Sequence, residues 1–489
     1  MPRQAKKRKS NDSRERKESF HVSTTPGDQL SVCEPAEQLD FLKSLMADNG
    51  QTFQPFSTLG QWSMLDILQQ NAVAIPREIT HVDCFSGVGG FCTGLQAAGL
   101  TTRVALEKVQ SCVDTYVANH PSVHVIRADI RDVTAQKILP FCPKEGIDLV
   151  TSGMPCETFS TAGNTSRSFY DDRQFLFREG IRIAQIVNAK FLLFENVPGI
   201  TSKTVGKNDP TRIVDILKKE MRQAGYGNFI EVILDAAHFG VPQHRRRFFL
   251  LGTRFPKVRL SPPLPCFPNP LTVEDALAGL PPVQPNSWQE GREYQENKSQ
   301  YAALMRNLSF WRIGQGEQDE LTYHMPMKHR PATLERFTLL QQGESLKDLF
   351  AKCDEPTRLA LQERRVLPRQ IFIKRNYRLK PGLPSPTVTS HCLDEFVHPT
   401  EHRALTVREC ARLQSFPDSY RFEGGPYIVP HINREVQDKY EQIGDAVPPL
   451  LAFAWGKAII QQLLQMEKKN ERHSECKAAD PIHIQFDIS

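Results

Sequence analysis

Four groups of residues in this 489-residue chain have the types and spacing to do chemistry. The first is the run Ser152-Gly153-Met154-Pro155-Cys156-Glu157-Thr158-Phe159-Ser160, which follows an apolar segment at 147–150. A cysteine just past the end of a buried strand stands where open α/β sheets place their ligands. Pro155 fixes its own φ and restricts Met154, so the Cys156 thiol enters the loop at a constrained angle. Standing alone, such a cysteine is more often an inert buried thiol than a nucleophile. The second group is Phe194-Glu195-Asn196-Val197-Pro198, which places a carboxylate at the end of the apolar run 191–194. Partial desolvation there raises its pKa and suits it to hold or donate a proton. Because the two strands are neighbours, Glu195 and Cys156 are expected to face one crevice.

The third group is Gln243-His244-Arg245-Arg246-Arg247. Alternate side chains of an extended segment share a face, so Arg245 and Arg247 are expected to project together toward a phosphate or a base carbonyl. An exposed basic turn is the equal alternative. The fourth is Phe85-Ser86-Gly87-Val88-Gly89-Gly90-Phe91, a glycine-rich turn between a short strand and a helix. Its glycines let the backbone turn tightly and approach a ligand, with helix N–H groups behind it. Glu107 follows Gly87 by twenty residues, where an acid can hold ribose hydroxyls, and Asp129 is placed to accept from an adenine amino group. This spacing favours an adenosine-containing ligand without choosing between a dinucleotide and S-adenosylmethionine.

These groups need a scaffold, and the chain from 79 onward supplies one. Strands are expected at 79–84, 104–107, 123–126, 147–150, 191–194, 229–234 and 247–252. Helices are expected at 92–98, 109–119, 174–187 and 211–224. Strands alternating with helices imply a doubly wound, mostly parallel α/β sheet covered on both faces. The pattern breaks near 255 into a proline-rich, charged stretch and resumes near 403, with helices at 406–414 and 447–466. The organisation expected is therefore a basic, disordered tail at 1–30 and a helical extension at 31–78. A cofactor-binding catalytic domain at 79–255, an inserted smaller domain at 256–395, a return to the first domain at 396–468 and a loose tail at 469–489 complete it.

Composition narrows the partners. The chain has 39% hydrophobic and 24% charged residues, the balance of a soluble globular protein, and no apolar run near the ~20 residues of a membrane span. A charged N-terminus without an apolar core argues against secretion. Eleven cysteines without a C-x-x-C pair fit neither a zinc site nor a disulfide framework, so no metal is expected. Residues 1–19 carry eight of the 61 basic residues and three of the 56 acidic ones, which accounts for the whole net charge of +5. Affinity for nucleic acid must therefore come from local basic surfaces: Arg245-Arg246-Arg247, or residues 364–380, which hold seven basic residues and no acidic one. Lys6-Lys7-Arg8-Lys9 reads equally as a nuclear address, a nucleic-acid arm or a solubilising tail.

Taken together, these segments resemble the cytosine C5 DNA methyltransferases. The family's Phe-x-Gly-x-Gly-Gly turn is similar to 85–90, its Pro-Cys to Pro155-Cys156, its Glu-Asn-Val to 195–197, and its Gln-x-Arg-x-Arg to Gln243, Arg245 and Arg247. Arg408-Glu409-Cys410-Ala411-Arg412-Leu413-Gln414-Ser415-Phe416-Pro417-Asp418 and Gly444-Asp445-Ala446-Val447-Pro448-Pro449 complete an ordered set over 79–255 and 400–455. Two departures are Asp445, where the family more often has Asn, and Glu157, where it more often has Gln.

The resemblance implies S-adenosylmethionine as cofactor, held by Phe85, Gly87, Val88, Gly89, Gly90, Glu107, Lys108, Asp129, Ile130, Pro155, Asp445, Ala446 and Val447. It implies Cys156 as nucleophile on cytosine C6 and Glu195 as the proton holder at N3. Arg247 would meet the base and favour the thiolate, Asn196 would order the loop that holds Glu195, and Pro155 would orient Cys156. The target base must be flipped out of the duplex, with the loop 153–172 closing over it. The segment 256–395 would be the target-recognition region. Its Arg364, Arg365, Arg369, Lys374, Arg375, Arg378 and Lys380, with Gln243 and Arg245, are the expected DNA contacts. Duplex DNA is the implied partner, without a membrane, and a monomer is expected. A restriction system with a cognate endonuclease would place the protein in a prokaryotic or viral-host cytoplasm at the nucleoid; a eukaryotic source would place it in the nucleus. Two other readings stay open: an RNA cytosine C5 methyltransferase, against which the long insert speaks, and a catalytically silent DNA-binding relative, against which the intact Cys156, Glu195 and Arg247 speak.

Overall fold

The computed structural model describes residues 64–69, 75–155, 172–206, 209–267, 269–287, 289–370, 375–428 and 436–478. The tail at 1–30, most of 31–78, Cys156, Glu157, the loop through 171, Lys374 and the end at 479–489 lie outside the described residues. The apolar runs pair into a sheet of seven strands: β1 (Ile79–Cys84), β2 (Leu100–Glu107), β3 (His124–Arg127), β4 (Leu149–Ser152), β5 (Phe191–Asn196), β8 (Asn228–Asp235) and β9 (Arg246–Thr253). A hairpin of β6 (Thr204–Gly206) and β7 (Asp209–Arg212) stands apart. The sheet order is β3-β2-β1-β4-β5-β9-β8. β9 runs antiparallel to both neighbours, whereas β1 to β5 pair in parallel. The doubly wound, mostly parallel sheet expected from the alternation is thus present. Strand order reverses between β1 and β4, which opens a crevice beyond their C-terminal ends.

The helices cover both faces. On one side α3 (Phe177–Ile186) and α4 (Ile213–Gln223) bury Phe177, Ile183, Ile213 and Leu217 against Val82, Cys84, Val150 and Leu192. On the other, α1 (Gly90–Ala98) packs with the closing helix α7 (Pro449–Ala478), while α2 (Gln110–Asn119) lies against β2 and β3. The contact between α1 and α7 is backbone to backbone. A β-carbon on Gly94 would lie 2.0 Å from Pro449 O and 2.6 Å from Phe453 N. Residues 439–468 are long and apolar enough to cross a membrane by composition, yet 67% of the apolar window is buried within the protein. That segment is a core element, and its apolar face is spent on α1 and the sheet.

Before α7 come α5 (Val407–Leu413) and α6 (Lys439–Asp445). Thr406 starts α5 with a reciprocal cap: its hydroxyl accepts from Glu409 N at 3.2 Å and Glu409 accepts from Thr406 N at 2.7 Å. Three fully buried arginines fasten this helix, Arg408 and Arg412 from within it and Arg403 from just before it. Arg403 forks onto Glu409 at 2.7 and 2.7 Å, and Arg412 forks onto Asp418 at 2.9 and 2.7 Å. Arg408 donates to Pro417 O at 3.0 Å, Tyr420 O at 2.9 Å and Thr322 O at 3.1 Å. Buried guanidiniums are tolerated only when paired and fully bonded, so the Arg-Glu-x-x-Arg element is a knot joining 276–278, 322 and 417–420 rather than a ligand site.

The boundary expected at 256 does not coincide with a change of core. Phe267, Val273, Tyr301, Met305, Trp311 and Met327 belong to the same apolar cluster as α1 and α7. A separate small core begins later, with Phe337, Leu340, Leu346, Leu349, Leu361, Val366 and Leu367 closed by Val397. Helices Pro331–Leu339, Leu346–Lys352 and Glu355–Glu363 build it.

Candidate active site

The crevice at the sheet reversal gathers the expected groups from β1, β4 and β5. β1 ends at Cys84 and enters the glycine turn with Phe85 at φ 58° and Gly89 at φ 89°. Gly89 needs its missing β-carbon twice, for that angle and because the atom would lie 2.9 Å from His120 Nε2. At Gly90 a β-carbon would lie 2.3 Å from Val447 O, so the glycine turn and the 444–449 turn touch directly. Arg245 donates to Gly444 O at 2.8 Å and Ala446 O at 3.0 Å, and Gln414 donates to Ala446 O at 2.6 Å. The Asp445 side chain is exposed and accepts from Gln437 Nε2 at 2.9 Å.

Glu107, at the end of β2, closes the turn from the side. Its carboxylate accepts from Gly87 N at 2.9 Å, Lys108 N at 2.7 Å and Val109 N at 2.8 Å. Burial raises its pKa, and the three backbone donors oppose that rise. Asp129 is already engaged: Arg131 forks onto it at 2.9 and 2.7 Å and Lys108 Nζ lies at 3.1 Å, which holds its pKa far below the usual carboxylate range. Ile130 and Val88 are buried in the apolar clusters, so each can offer only main chain to a ligand; Val88 O already accepts from the Tyr420 hydroxyl. An orphaned polar atom remains at the turn itself, since the buried Ser86 Oγ has no partner among the described residues. The cradle, the pinned carboxylate and the free hydroxyl fit an adenosyl amino acid cofactor.

Beneath the turn, β1 carries a polar chain that no sequence motif marks. Cys92 Sγ donates to Thr102 Oγ1 at 3.2 Å, and Thr102 Oγ1 lies 2.8 Å from His81 Nδ1. His81 Nε2 lies 2.8 Å from Thr151 Oγ1, which donates to Asp83 Oδ1 at 2.6 Å. These donors assign the His81 proton to Nε2. Burial pushes His81 down to about 3 and Asp83 up to about 7, while Asp83 Oδ2 is left without a partner among the described residues. An aspartate with its folded pKa raised contributes stability fully present below the usual value near 3.8 and lost as pH rises to about 7. Thermal unfolding of Asp83→Asn against the parent from pH 4 to 8 should therefore lack this decline. Parallel curves for the two proteins would refute it.

The other side of the crevice centres on Glu195, which is buried at the end of β5. Arg247 Nε lies 3.0 Å from Glu195 Oε1. A β-carbon on Gly153 would lie 3.7 Å from Glu195 Oε2 and 4.0 Å from Phe85 O. The carboxylate thus abuts the loop three residues before Cys156. Burial raises the Glu195 pKa, opposed by Arg247 and Arg245. Asn196 Nδ2 donates to Met154 O at 3.2 Å and its Oδ1 accepts from Val197 N at 2.8 Å, so it ties β5 to the same loop. Pro155 is exposed at the rim.

Several expected DNA contacts are corrected. Gln243 is fully buried, donating to Leu413 O at 3.0 Å and Gln414 Oε1 at 2.6 Å while accepting from Val388 N at 2.8 Å. Arg245 is buried among main-chain carbonyls, including Val388 O at 2.6 Å. It does share a face with Arg247, but that face points inward. Arg378 is buried too, donating to Leu340 O at 3.0 Å, His398 O at 2.8 Å and Phe337 O at 2.5 Å. All three are internal fasteners, not nucleic-acid contacts. Arg364, Arg365, Arg369, Arg375 and Lys380 are exposed, with Arg364 paired to Glu335 and Arg375 to Asp394 at 3.2 Å.

Comparison with known proteins bears on this geometry. Residues 79–461 match the family model described as C-5 cytosine-specific DNA methylase. The chain is similar to the Type II methyltransferase M.DdeI of Desulfomicrobium norvegicum, 32% identical over 384 residues that cover 77% of this chain and 88% of that protein. It is also similar to the Type II methyltransferase M1.HphI of Haemophilus parahaemolyticus, 30% identical with 78% and 87% covered. In fold it resembles a prophage-encoded E. coli protein assigned as a DNA modification methyltransferase, with TM-score 0.60, 24% identity, and 79% and 100% of the two chains covered.

Proposed function

We propose, from the premise that the chain belongs to the C-5 cytosine-specific DNA methylases, that it methylates cytosine C5 at one duplex DNA sequence through a covalent adduct of Cys156. Cytosine C5 is a weak nucleophile until the ring is activated. The Cys156 thiolate adds to C6 while Glu195 holds a proton at N3, which places electron density on C5. Phe85, the turn at 87–90, Glu107, Lys108, Asp129, Ile130, Pro155 and the turn at 445–447 would hold S-adenosylmethionine, which would supply an electrophilic methyl group to C5 and leave as the neutral thioether. With the methyl group on C5, loss of the C5 proton to a base expels the Cys156 thiolate across the C5–C6 bond, and N3 gives its proton back to Glu195, which restores the ring. Arg247, held beside Glu195, offers its remaining N–H groups to the base, and Asn196 keeps the Cys156 loop against β5. The base reaches this crevice only when flipped from the duplex.

The observation that carries the reading is Glu195, a buried carboxylate with a raised pKa, paired with Arg247 and set against Gly153. Its neighbour is the glycine cradle closed by the 444–449 turn. The curated relatives are Type II methyltransferases, which supports an enzyme that protects DNA beside a cognate endonuclease; a monomer in the cytoplasm is part of the same proposal. The target-recognition role falls to the part of 256–395 that holds the separate small core, with Arg364, Arg365, Arg369, Lys374, Arg375 and Lys380 as its phosphate contacts.

The test is to offer labelled S-adenosylmethionine with duplex DNA and with RNA, and to challenge the enzyme with duplex containing 5-fluorocytosine. Label should enter DNA, and a covalent complex should form that Cys156→Ser lacks. Label entering RNA alone, or a complex undiminished by Cys156→Ser, would overturn the proposal. Bisulfite sequencing of DNA from an expressing host would then identify the target.

A further inference from the structure

Outside the crevice, the inserted segment holds a concave site that no sequence motif announces. An open hollow of about 450 Å³ is lined by Arg330, Arg336, Arg364 and Arg365, with Glu335 as the one carboxylate among the described residues of its wall. Arg364 and Arg365 are among the expected DNA contacts; Arg330 and Arg336 join them only because helix Pro331–Leu339 packs beside the end of helix Glu355–Glu363.

The support is rigid. Val366 and Leu367 are buried in the small core with Phe337 and Leu361, and Val366 N donates to Leu361 O at 2.8 Å. Arg365 is held at φ 61°, a left-handed turn that a non-glycine residue adopts only under constraint. Arg336 is fixed by Val366 O at 2.5 Å and Asn376 Oδ1 at 2.9 Å. Arg364 pairs with Glu335. Arg330 and Arg365 are exposed and have no side-chain partner among the described residues. Four guanidiniums around one hollow repel one another, and a single carboxylate leaves most of that charge uncompensated. An anion presenting several oxygens removes the repulsion and matches the planar donors.

We propose that Arg330, Arg336, Arg364 and Arg365 form a clamp for the backbone phosphates of duplex DNA, fixing the register of the duplex without reading a base. This rests on the reading that the enzyme acts on duplex DNA. Phosphate contacts of this kind position a protein and carry its salt dependence.

The experiment measures equilibrium binding of the full chain to a target duplex and to a scrambled duplex across a salt series. It compares the parent, Arg330→Gln/Arg365→Gln and Arg330→Lys/Arg365→Lys. For the glutamine variant the slope of log affinity against log salt should become shallower by about 1–2, with affinity lowered by the same factor on both duplexes. The lysine variant should retain the slope. Both positions are exposed, so unfolding temperature serves as the control for an intact fold. An unchanged slope in the glutamine variant, with the parent binding normally, overturns the clamp alone. A loss confined to the target duplex overturns it as well, because that marks a base reader. If the parent neither binds nor methylates duplex DNA, the underlying function fails and the clamp with it.

Discussion

Glu195→Gln is expected to slow methyl transfer to duplex DNA by about 100- to 10,000-fold, the range of a lost general acid, with the fold and the cofactor KM unchanged. The substitution is nearly isosteric and keeps an oxygen for Arg247, which lies 3.0 Å away. What it removes is the transferable proton. Two effects compete at this carboxylate: burial favours the neutral acid, and the guanidiniums of Arg247 and Arg245 favour the anion. Burial wins, so the acid form persists above the ordinary glutamate value of 4.5. The sign for activity follows. The protonated form is the one assigned the work, and its fraction falls as pH rises through the raised Glu195 pKa. A free thiol near about 8.5 gives the opposite limb, rising with pH. The parent profile, the product of the two, rises to the lower of the two pKa values, is flat between them and falls above the higher, whereas Glu195→Gln retains only the rising limb. A pH profile of kcat/KM for both proteins decides it. Activity within tenfold of the parent, or a persisting alkaline fall in the variant, would remove Glu195 from the proton-holding role. The same carboxylate contributes stability in the same sense, present below its unfolded value and lost as pH rises through the folded one.

Glu195 is legible in the amino-acid sequence alone, and the reason is local. An apolar run ends at Phe194, and a strand end beside a glycine-bearing loop is a physical place that sequence can point to. The same holds for Gly87, Gly89 and Gly90, whose turn is written in consecutive residues. Arg245 and Gln243 show where local reading fails. Three arginines in a row read as an exposed basic turn. The carbonyls that bury Arg245 belong to Val388, Gly444 and Ala446, 143 to 201 residues away. Arg378 fails in the same way, through Leu340 O and His398 O. No neighbouring residue reports such partners, because main-chain carbonyls have no side-chain identity to read. The antiparallel β9 is a related case: its strand is visible in the apolar pattern, but its direction is set by pairing with β5 and β8. The first part of the insert reads as a change of domain because of its charges and prolines, while Phe267, Tyr301 and Trp311 join the core of α1 and α7. The polar chain through Asp83 is silent in sequence because threonine and histidine in a strand carry no periodic signal.

Arg245→Met should cost about 3–5 kcal/mol of stability, the scale for leaving several buried main-chain carbonyls without donors. Methionine fills a similar volume, so the loss is not chiefly a cavity. Three main-chain carbonyls lose charged donors at 2.6, 2.8 and 3.0 Å, in a region where water cannot replace them. Two of the three belong to the 444–446 turn, whose next residue, Val447, meets Gly90 of the cofactor turn. On the proposed cofactor site, instability and cofactor affinity are therefore expected to move together. The variant should unfold at lower temperature, and its apparent affinity for S-adenosylmethionine should fall even where it remains folded, because Gln414 alone is left to hold Ala446 O. Saturating cofactor should recover part of the lost melting temperature, since a ligand that binds only the ordered turn shifts the equilibrium toward it. Arg245→Lys keeps the charge but not the fork, and one ammonium cannot reach Val388, Gly444 and Ala446 together, so it should rescue less than half of the loss. Calorimetry with and without cofactor checks each step. A variant as stable as the parent with unchanged cofactor affinity would return Arg245 to the surface role that its sequence suggests.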